Sequence, residues 1–427
     1  MTSSKIQRLK GTRDIYGEDA LRFQRIEAAA RKVFNLFGFS ELRTPILEEK
    51  QLFTRGLGTE TDVVQKEMYE FEDRSKTEVA MRPEGTAGVV RAYLENELDK
   101  KEGFCKFYYI GPMFRSERPQ AGRLRQFHQI GVEQLGIRSP YSDAETILCL
   151  IAFLDEIGIK NYEVRLNNLG SLQERADYKK ILTDYFRPLN GSLCEDCKRR
   201  LEKNVIRILD CKVGSCIALV QKAPRMDQFF SEETKLHFKS TLEVLNEHKV
   251  RFQLDPYMVR GLDYYTNTVF EVTHGDLGAQ NALAAGGRYD TLVEAFGGAP
   301  AGAVGFAAGV ERLTMCLAPD SGAKTYEESF YMVALGEAAF QRALDLLFQL
   351  RSSGIKALMN FAAASLKSQM RNADKNRCKY ALILGDTELD KGVFTLKNLE
   401  VGIQKEFLLN DVVQVCLDPD KFSIARG

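Results

Sequence analysis

The sequence of 427 residues predicts an α+β protein with a larger domain built on an antiparallel sheet, residues 1–325, and a smaller α/β domain, residues 326–427. Two strand-like runs, 104–116 and 124–135, flank a polar loop that contains proline and glycine, which predicts a long antiparallel hairpin. Residues from about 172 to 248 are charged and helical in pattern, which indicates a helical insertion in the larger domain. Throughout the smaller domain, strand-like and helical patterns alternate, as they do in α/β folds.

The larger domain should begin with a helix, because apolar side chains recur at helical spacing over residues 20–37. The segment after this helix runs up to Pro45, and a proline favours an extended conformation in the residue before it. Helical spacing returns after the hairpin, over residues 142–157. Beyond the insertion, residues 264–272 have the composition of a strand, and another helix should start near Gly309.

The smaller domain shows four predicted elements in alternation. The apolar runs at 331–335 and 380–385 are typical of buried strands. Residues 337–352 and 363–375 follow the helical pattern. This order predicts a sheet covered by helices.

The charge balance excludes strong global electrostatic steering, because 59 Lys and Arg residues are matched by 59 Asp and Glu residues. Residues 1–10 lack the apolar core of a signal peptide. The longest weakly apolar run, 296–310, is shorter than the ~20 apolar residues of a membrane span. Nine cysteines in such a chain are expected to be reduced thiols. We therefore expect a cytoplasmic protein that does not use a membrane.

The second hairpin strand should present two different faces, because side chains alternate with period two. Ile130 and Val132 share one face, as in a core, whereas Gln129 and Glu133 share the other face with a glycine between them. Arg115, at the end of the first strand, adds a cation. Polar side chains over a glycine floor are typical of a ligand pocket. A solvated sheet face is the alternative that the spacing leaves open.

The hairpin loop adds a dense group of arginines, which suits a polyanion because guanidinium groups bind phosphate with two parallel hydrogen bonds. A solvated surface loop would explain the same density. The arginines are Arg118, Arg123 and Arg125. Further segments join glycine or proline to polar side chains, as binding loops or plain turns do: 82–86, 260–266, 285–290 and 303–313. None of them is a Walker loop or a Rossmann fingerprint.

In this order the segments resemble the three signature motifs of class II aminoacyl-tRNA synthetases, namely a strand ending in proline, an arginine hairpin, and a glycine-rich strand entering a helix with Glu-Arg-Leu. Within that class the chain resembles the histidyl-tRNA synthetase family through GPMFRSERPQAGRLRQFHQIGVEQLG (111–136), RGLDYYTNTVFEV (260–272) and AAGGRYD (284–290). The resemblance covers nearly the whole chain. It implies the class II synthetase fold for the larger domain and an anticodon-binding role for the smaller α/β domain.

The family activates histidine with ATP, as its Mg²⁺ complex, and transfers histidine from the adenylate to the 3′ end of tRNA(His). The resemblance implies that Arg115 holds the α-phosphate and the reacting carboxylate, and that Arg312 lies against adenine and reaches the γ-phosphate. Arg260 would also touch the α-phosphate, at a place that a metal ion fills in sister enzymes. These three arginines are the implied catalytic residues. Phe127 would stack on the other adenine face, and Arg123 would also bind ATP.

For histidine, the resemblance implies a polar pocket with an aromatic wall. Glu133 would accept a hydrogen bond from the imidazole, and the amino group would meet three side chains, Glu84, Thr86 and Gln129. The remaining implied contacts are Gly85, Arg115, Arg260, Tyr264, Tyr265 and Tyr289.

The implied partners besides the small substrates are tRNA(His) and a second copy of the chain. In a homodimer of this family, residues 37–53 form the interface. Arg118 and Gln120 are candidates for contact with the acceptor end of the tRNA. Lys367, Arg371 and Lys375 recur every four residues and therefore share one helical face, which suits tRNA or a solvated surface.

Four cysteines in the insertion, Cys194, Cys197, Cys211 and Cys216, approximate the spacing of a zinc site. The first pair has the common two-residue spacing, but the second pair is wider, with four residues between the cysteines. The spacing therefore favours reduced cysteines without metal and leaves structural zinc as the alternative.

Two other functions are weighed against the expected ligase. The regulatory subunit of the first histidine-biosynthetic enzyme shares this catalytic fold, but usually lacks the last domain and several catalytic arginines that are present here. A synthetase for proline or threonine would keep the ATP-binding arginines but not the RGLDYY and GGRYD segments.

Overall fold

The computed structural model describes residues 5–58, 61, 63–120, 122–318, 326–362 and 364–422. The chain divides into two compact units between Ala318 and Pro319. The predicted domain boundary at 325 adjoins residues 319–325, which lie outside the described residues, so the exact limits stay a prediction. Within the described ranges, no helix has the length and apolar character to cross a membrane.

The first unit contains a large sheet and helices that come before, within and after the insertion in the chain. Its strands are β1 Ser40–Glu41, β2 Leu47–Glu49, β3 Tyr69–Glu72, β4 Glu78–Met81, β5 Cys105–Phe114, β6 Gln126–Leu135, β7 Tyr162–Asn168, β8 Phe252–Leu254, β9 Thr266–His274, β10 Ala282–Arg288 and β11 Ala303–Gly309. Its α-helices are α1 Glu18–Leu36, α2 Lys50–Leu57, α3 Thr86–Glu95, α4 Leu98–Lys101, α5 Pro140–Glu156, α6 Leu172–Phe186, α7 Glu195–Lys203, α8 Gly214–Val220, α9 Glu232–Glu247, α10 Leu292–Ala295 and α11 Val310–Cys316.

The described residues of this unit form an eight-stranded sheet in the order β1-β5-β6-β11-β10-β9-β7-β8. The six central strands pair antiparallel, and the two edge strands, β1 and β8, pair parallel to their neighbours. The predicted hairpin is β5 and β6, so the antiparallel sheet is confirmed. A separate three-stranded sheet, in the order β2-β4-β3, stands beside α2 and α3.

One face of the large sheet is covered by α1, α5 and α11, which pack against one another and against the sheet. Ile130 and Val132 point into this core and are fully buried. The other face of β6 carries the polar side chains predicted for a pocket. The division of one strand into an apolar and a polar face follows directly from the two-residue period.

The helical insertion is confirmed, with α6 and α9 as its longest helices. Between them the chain forms short helices and 3₁₀ turns around a hydrophobic core of its own. Pro188 and Pro224 lie in this stretch, and proline limits helix length because it lacks an N–H and clashes with the preceding turn. The insertion is therefore a small packed layer rather than one long helical pair.

The second unit is the predicted α/β domain. Its strands are β12 Glu327–Ala334, β13 Ala357–Met359, β14 Cys378–Leu384, β15 Val393–Asn398 and β16 Gln404–Leu408, in the sheet order β13-β12-β14-β15-β16. Its α-helices are α12 Glu337–Ser352, α13 Leu366–Lys375, α14 Asp386–Lys391 and α15 Val412–Leu417. The first three strands in the sheet order are parallel, whereas β15 and β16 add an antiparallel hairpin that the sequence analysis did not predict.

Candidate active site

A cavity of about 890 Å³ opens in the first unit on the sheet face opposite the core. Its floor is formed where β6, β11, β10 and β9 lie side by side. Small residues are frequent in the floor. Ala307 of β11 pairs with Gly131 of β6, and Gly309 of β11 pairs with Gln129 of β6. The missing side-chain volume leaves a basin with polar groups around it.

The deepest polar group of this cavity is Glu133, which is 1% exposed. One carboxylate oxygen accepts a hydrogen bond from Thr86 Oγ1 at 2.6 Å, and the other accepts from the hydroxyl of Tyr289. Burial raises the pKa of Glu133 to about 8, although the Thr86 and Tyr289 hydroxyls favour the charged form. A buried carboxyl with only two donors retains acceptor capacity for a ligand.

Space for the Glu133 carboxylate depends on a glycine that the sequence analysis did not single out for this role. Gly305 pairs with Glu133 across β11 and β6. A Cβ atom at position 305 would overlap Glu133 Oε2 and the carbonyl oxygen of Val132. The glycine is therefore required by close approach, not by its own backbone angles.

The Glu84 carboxylate caps the beginning of α3. It accepts hydrogen bonds from the amides of Thr86 and Ala87 at 2.7 and 2.8 Å, where the partial positive charge of the helix end favours an anion. Burial nevertheless raises the pKa of Glu84. The predicted contact Gly85 lies against the ring of Tyr109, where a Cβ would clash, so it serves packing behind the pocket.

The aromatic wall predicted from the sequence is present. Tyr264 packs against Tyr265 and Tyr289, with ring centroids 4.7 and 5.6 Å apart. All three tyrosines are buried and line the cavity. Their rings form an apolar enclosure, and the Tyr289 hydroxyl ties this wall to Glu133.

Three buried polar atoms at this site lack a hydrogen-bond partner within the described ranges: Gln129 Oε1, Arg165 Nε and Arg260 Nε. All three residues line the cavity. Buried polar atoms are nearly always hydrogen-bonded in native proteins. Their position therefore points to a ligand or water that supplies the missing partner.

Arg115 is held beside Phe127 at the mouth of the hairpin. Its Nε donates to the carbonyl oxygen of Pro83 at 3.0 Å, and its guanidinium lies 5.2 Å from the centre of the Phe127 ring. Arg115 and Phe127 both line the cavity. A cation and a ring face thus meet at one place.

Arg312, in α11, is fixed by two carbonyl oxygens, those of Gly122 at 3.1 Å and Ala282 at 2.7 Å. Burial lowers its pKa, and the nearby positive charges of Arg123 and Arg115 lower it further. Such mutual repulsion between fixed cations is relieved when an anion binds between them. Arg123 itself pairs with Glu117 at 3.1 Å.

Arg260 forms an ion pair with Glu271 of β9 at 2.8 Å. Burial opposes the charge of Arg260, but Glu271 and Tyr265 outweigh it and raise the pKa of the guanidinium. The sequence analysis missed Glu271 as a site residue, although a carboxylate between Phe270 and Val272 in a predicted strand was a usable signal. It also missed Arg207, which donates from the insertion to the carbonyl oxygen of Arg260 at 3.1 Å.

Two arginines of the quoted motifs have structural roles instead. Arg82 donates to the carbonyl oxygens of Pro112 and Thr44, both at 2.9 Å, and joins three segments of the chain. Arg288 is 1% exposed and pairs with Asp143 and Asp290, behind the sheet. Neither lines the cavity.

The predicted tRNA contacts lie elsewhere on the surface. Arg118 and Gln120 are exposed in the β5–β6 loop and do not line the cavity. Lys367, Arg371 and Lys375 are exposed along one side of α13 in the second unit, while Gln369 and Ala373 of the same helix are buried. We call these three cations the α13 basic stripe.

The four predicted cysteines of the insertion come together, with all Sγ atoms within 4.8 Å of one another. Between the two pairs, a 3₁₀ turn, Val205–Asp210, ends directly before Cys211, where the chain returns to the first pair. Cys194 and Cys211 also line the edge of the cavity. We call Cys194, Cys197, Cys211 and Cys216 the four-cysteine cluster.

The raised pKa of Glu133 predicts a pH-dependent stability difference between the wild type and Glu133→Gln. Between its ordinary value of 4.5 and about 8, the carboxyl is protonated in the folded protein and ionised in the unfolded chain. The folded state therefore binds more protons, so this group's contribution to stability falls as pH rises through that window and levels off above it. The Gln variant lacks this loss.

Thermal unfolding without ligands at pH 5 and pH 8.5 measures this effect, since all other titrating groups are shared. We expect the melting temperature of the variant minus that of the wild type to be several degrees larger at pH 8.5 than at pH 5. An unchanged difference would mean that Glu133 titrates normally in the folded protein.

Comparison with known proteins agrees with this geometry. Residues 11–313 match the family model described as histidyl-tRNA synthetase, and residues 329–418 match the anticodon binding domain. Histidine–tRNA ligase of Halothermothrix orenii is 43% identical over 95% of this chain and 97% of that protein. The enzyme of Maridesulfovibrio salexigens is 45% identical over 96% of this chain and 99% of that protein.

A solved structure is also similar. The apo histidyl-tRNA synthetase of S. aureus has a TM-score of 0.80 and 31% identity, covering 96% of this chain and 99% of that one. The family model alone spans more than half of the chain, and the fold is that of class II synthetases. The chain therefore belongs to the histidyl-tRNA synthetase family.

Proposed function

We propose that the chain is a histidine–tRNA ligase that forms histidyl-adenylate and pyrophosphate from L-histidine and ATP, then transfers histidine to the 3′ end of tRNA(His). The observation that carries the proposal is the joining of two half-sites in one cavity. A buried acceptor, Glu133, stands within an aromatic wall, and fixed arginines line the adjoining space. The first half suits an imidazole, and the second suits a polyphosphate.

The arginines explain how the first reaction can proceed without a nucleophilic side chain. An oxygen of the histidine carboxylate attacks the α-phosphorus of ATP, a new O–P bond forms, and the bond to the leaving pyrophosphate breaks. Two anions meet, and charge gathers on the phosphate oxygens. Arg115 and Arg260 would hold this charge, since guanidinium groups stay protonated and cost little reorganisation when already fixed.

The nucleotide would lie along the hairpin. Phe127 would stack on adenine, and Arg312 would lie against the other adenine face and reach the γ-phosphate, with Arg123 nearby. The carbonyl contacts of Arg312 support this role because they fix the guanidinium without neutralising it. ATP enters as its Mg²⁺ complex, which belongs to the substrate.

The histidine side chain would enter the tyrosine enclosure and donate a ring N–H to Glu133. Glu84, Thr86 and Gln129 would surround its amino group, and the unpartnered Gln129 Oε1 supports that assignment. An amino acid without a ring donor would leave the remaining acceptor capacity of buried Glu133 unused, and an unmade buried hydrogen bond is costly. Selection would therefore rest on one carboxyl group.

The second unit would bind the tRNA anticodon through the α13 basic stripe, whose exposed cations suit phosphate contacts. Reversing all three charges with Lys367→Glu, Arg371→Glu and Lys375→Glu should raise the KM for tRNA(His) in aminoacylation at least ~10-fold. Pyrophosphate exchange without tRNA should stay within about twofold of the wild type, because the cavity is untouched.

A matched control changes the net charge equally at exposed lysines of the same unit: Lys356→Glu, Lys391→Glu and Lys421→Glu. If this control weakens tRNA as much as the stripe variant does, the effect is one of general charge, and the stripe has no special role.

A homodimer in the cytoplasm completes the proposal. Residues near the predicted interface, 37–53, expose large apolar side chains: Leu36, Ile46 and Leu47 are 77%, 40% and 50% exposed. Exposed apolar groups that cluster on one surface are typical of an interface. Sedimentation equilibrium at micromolar concentration should give twice the chain mass, and Leu47→Asp should shift it toward the monomer.

Aminoacylation of transcribed tRNA(His) with labelled histidine tests the overall reaction. We expect acid-precipitable label that depends on ATP and is absent with a tRNA for another amino acid. Charging of an unrelated tRNA, or label without ATP, would argue against the proposal.

A further inference from the structure

The four-cysteine cluster has the dimensions of a tetrahedral metal site. The Sγ atoms of Cys194 and Cys211 lie 3.8 Å apart, and no pair in the cluster exceeds 4.8 Å. Zinc–sulfur bonds of about 2.3 Å in a tetrahedron place the sulfurs ~3.8 Å apart. The cluster therefore needs a contraction of at most about 1 Å at its widest pair to hold zinc. A disulfide needs sulfurs within about 2.05 Å, and all nine cysteines are free.

The backbone around the cluster also suits anionic sulfur. The amide of Cys194 donates to Cys216 Sγ at 3.3 Å, and the amide of Val213 donates to Cys211 Sγ at 3.5 Å. Hydrogen bonds to the ligand atoms orient metal ligands and stabilise their charge. Cys194 immediately precedes α7, so it lies at a helix end that favours a thiolate.

Cysteines of the cluster also pack in the hydrophobic core of the insertion, but apolar packing does not require four sulfurs to meet at one point. Cys105, Cys149, Cys316, Cys378 and Cys416 are buried in four separate cores, where a thiol acts as a small hydrophobe. In the insertion, four sulfurs instead converge on one point from two separate chain segments. Soft thiolate ligands in fourfold tetrahedral arrangement select zinc or iron, and closed sites of four cysteines are typical of structural zinc.

The cluster is tied to the candidate active site through the chain it encloses. Between the two cysteine pairs, Arg207 donates to the carbonyl oxygen of Arg260 at 3.1 Å, and Asn204 Nδ2 donates to Asp263 Oδ1 at 3.3 Å. Arg200 of α7 in turn donates to the carbonyl oxygen of Arg207 at 3.0 Å. A metal that joins Cys197 to Cys211 would close the loop between them and thereby restrict the segment that supports Arg260.

We infer that one structural zinc ion binds the four-cysteine cluster and holds the enclosed segment against the chain that carries Arg260. The four thiols lose their protons as they bind, so assembly releases protons and requires reducing conditions. The zinc touches no substrate, and its binding does not depend on the proposed ligase function.

Metal analysis of the full-length protein tests the inference. The protein is purified under reducing conditions without chelator or metal-affinity resin, and its zinc content is measured by mass spectrometry. We expect about one zinc per chain. Replacement by Co²⁺ should give the visible spectrum of a tetrahedral thiolate site. Protein that binds no zinc, as purified or after reconstitution, and gives no such spectrum with Co²⁺ would overturn the inference.

Variants assign the ligands. Cys197→Ser and Cys216→Ser should each lower the bound zinc at least tenfold, whereas the control Cys316→Ser, from another core, should keep it. If both cluster variants retain zinc like the control, the metal lies elsewhere and the inference fails. Should the cluster variants fail to fold, the wild-type reconstitution still decides.

Hydrogen exchange tests the link to Arg260. Removing zinc from the wild type with a chelator should speed exchange of the Arg207 and Cys211 amides at least tenfold, since both lie in the enclosed segment. Amides of β6 should change little and serve as the internal control. Unchanged exchange at Arg207 in zinc-depleted protein would refute the supporting role.

Discussion

Replacing Arg260 with alanine should lower kcat for histidine-dependent pyrophosphate exchange by about 10²–10³-fold, while ATP binding largely survives. Arg260 is buried, its pKa is raised beside Glu271, and its Nε atom has no hydrogen-bond partner among the described residues. It is thus positioned to meet charge that develops during the reaction. Loss of a group that acts mainly in the transition state lowers kcat more than it changes substrate binding.

Two further variants make the Arg260 result interpretable. Arg225→Ala removes an exposed arginine of the same unit that pairs only with nearby Asp227, and it should leave kcat unchanged. The double variant Arg260→Ala, Glu271→Gln removes the carboxylate that the single change leaves unpaired. If activity returned in the double variant, the loss would come from Glu271 rather than from Arg260. Normal kcat in Arg260→Ala alone would refute the catalytic role.

Glu133→Gln should lower kcat/KM for histidine roughly 10- to 150-fold at pH 8.5, where most of the Glu133 carboxyl is ionised, which corresponds to one hydrogen bond to a charged group. The change keeps the side-chain volume beside Gly305 and one acceptor oxygen for the Thr86 and Tyr289 hydroxyls, so the pocket should remain folded. What disappears is the anionic acceptor for the imidazole. The KM for ATP should stay near that of the wild type, because the arginine half of the cavity is unchanged.

Steady-state exchange at several histidine concentrations measures this effect. Glu163→Gln alters a half-exposed carboxylate of the same sheet and provides the matched control. Wild-type kcat/KM in Glu133→Gln would mean that selection of histidine rests on other groups. An equal loss for histidine and ATP would indicate general damage to the cavity.

The local features of the site could be predicted from the sequence because they follow from short-range geometry. The two faces of β6 were predicted from the two-residue period, and the structure buries Ile130 and Val132 while it turns Gln129 and Glu133 to the cavity. The arginine hairpin was predictable for the same reason. Assignment of roles to these side chains required the resemblance to a family, since spacing alone also fits a solvated sheet.

Features that depend on strand register could not be predicted. The bond between Tyr289 and Glu133 joins residues 156 positions apart, and the need for Gly305 appears only when β11 pairs with β6. The four-cysteine cluster is a similar case, because its closure depends on a 3₁₀ turn rather than on cysteine spacing. Glu271 could have been predicted as a site residue, since a carboxylate beside apolar residues in a strand needs a charged or hydrogen-bonding partner when it is buried.

The most direct test of histidine activation by this cavity is pyrophosphate exchange into ATP, run separately with each of the twenty amino acids in the presence of Mg²⁺ and without tRNA. The proposal predicts exchange with histidine alone, because only histidine offers a ring donor of the right size to Glu133 within the tyrosine enclosure. Exchange with another amino acid would contradict the assignment of the pocket. No exchange with any of them, from folded protein that still binds histidine, would contradict the ligase function itself.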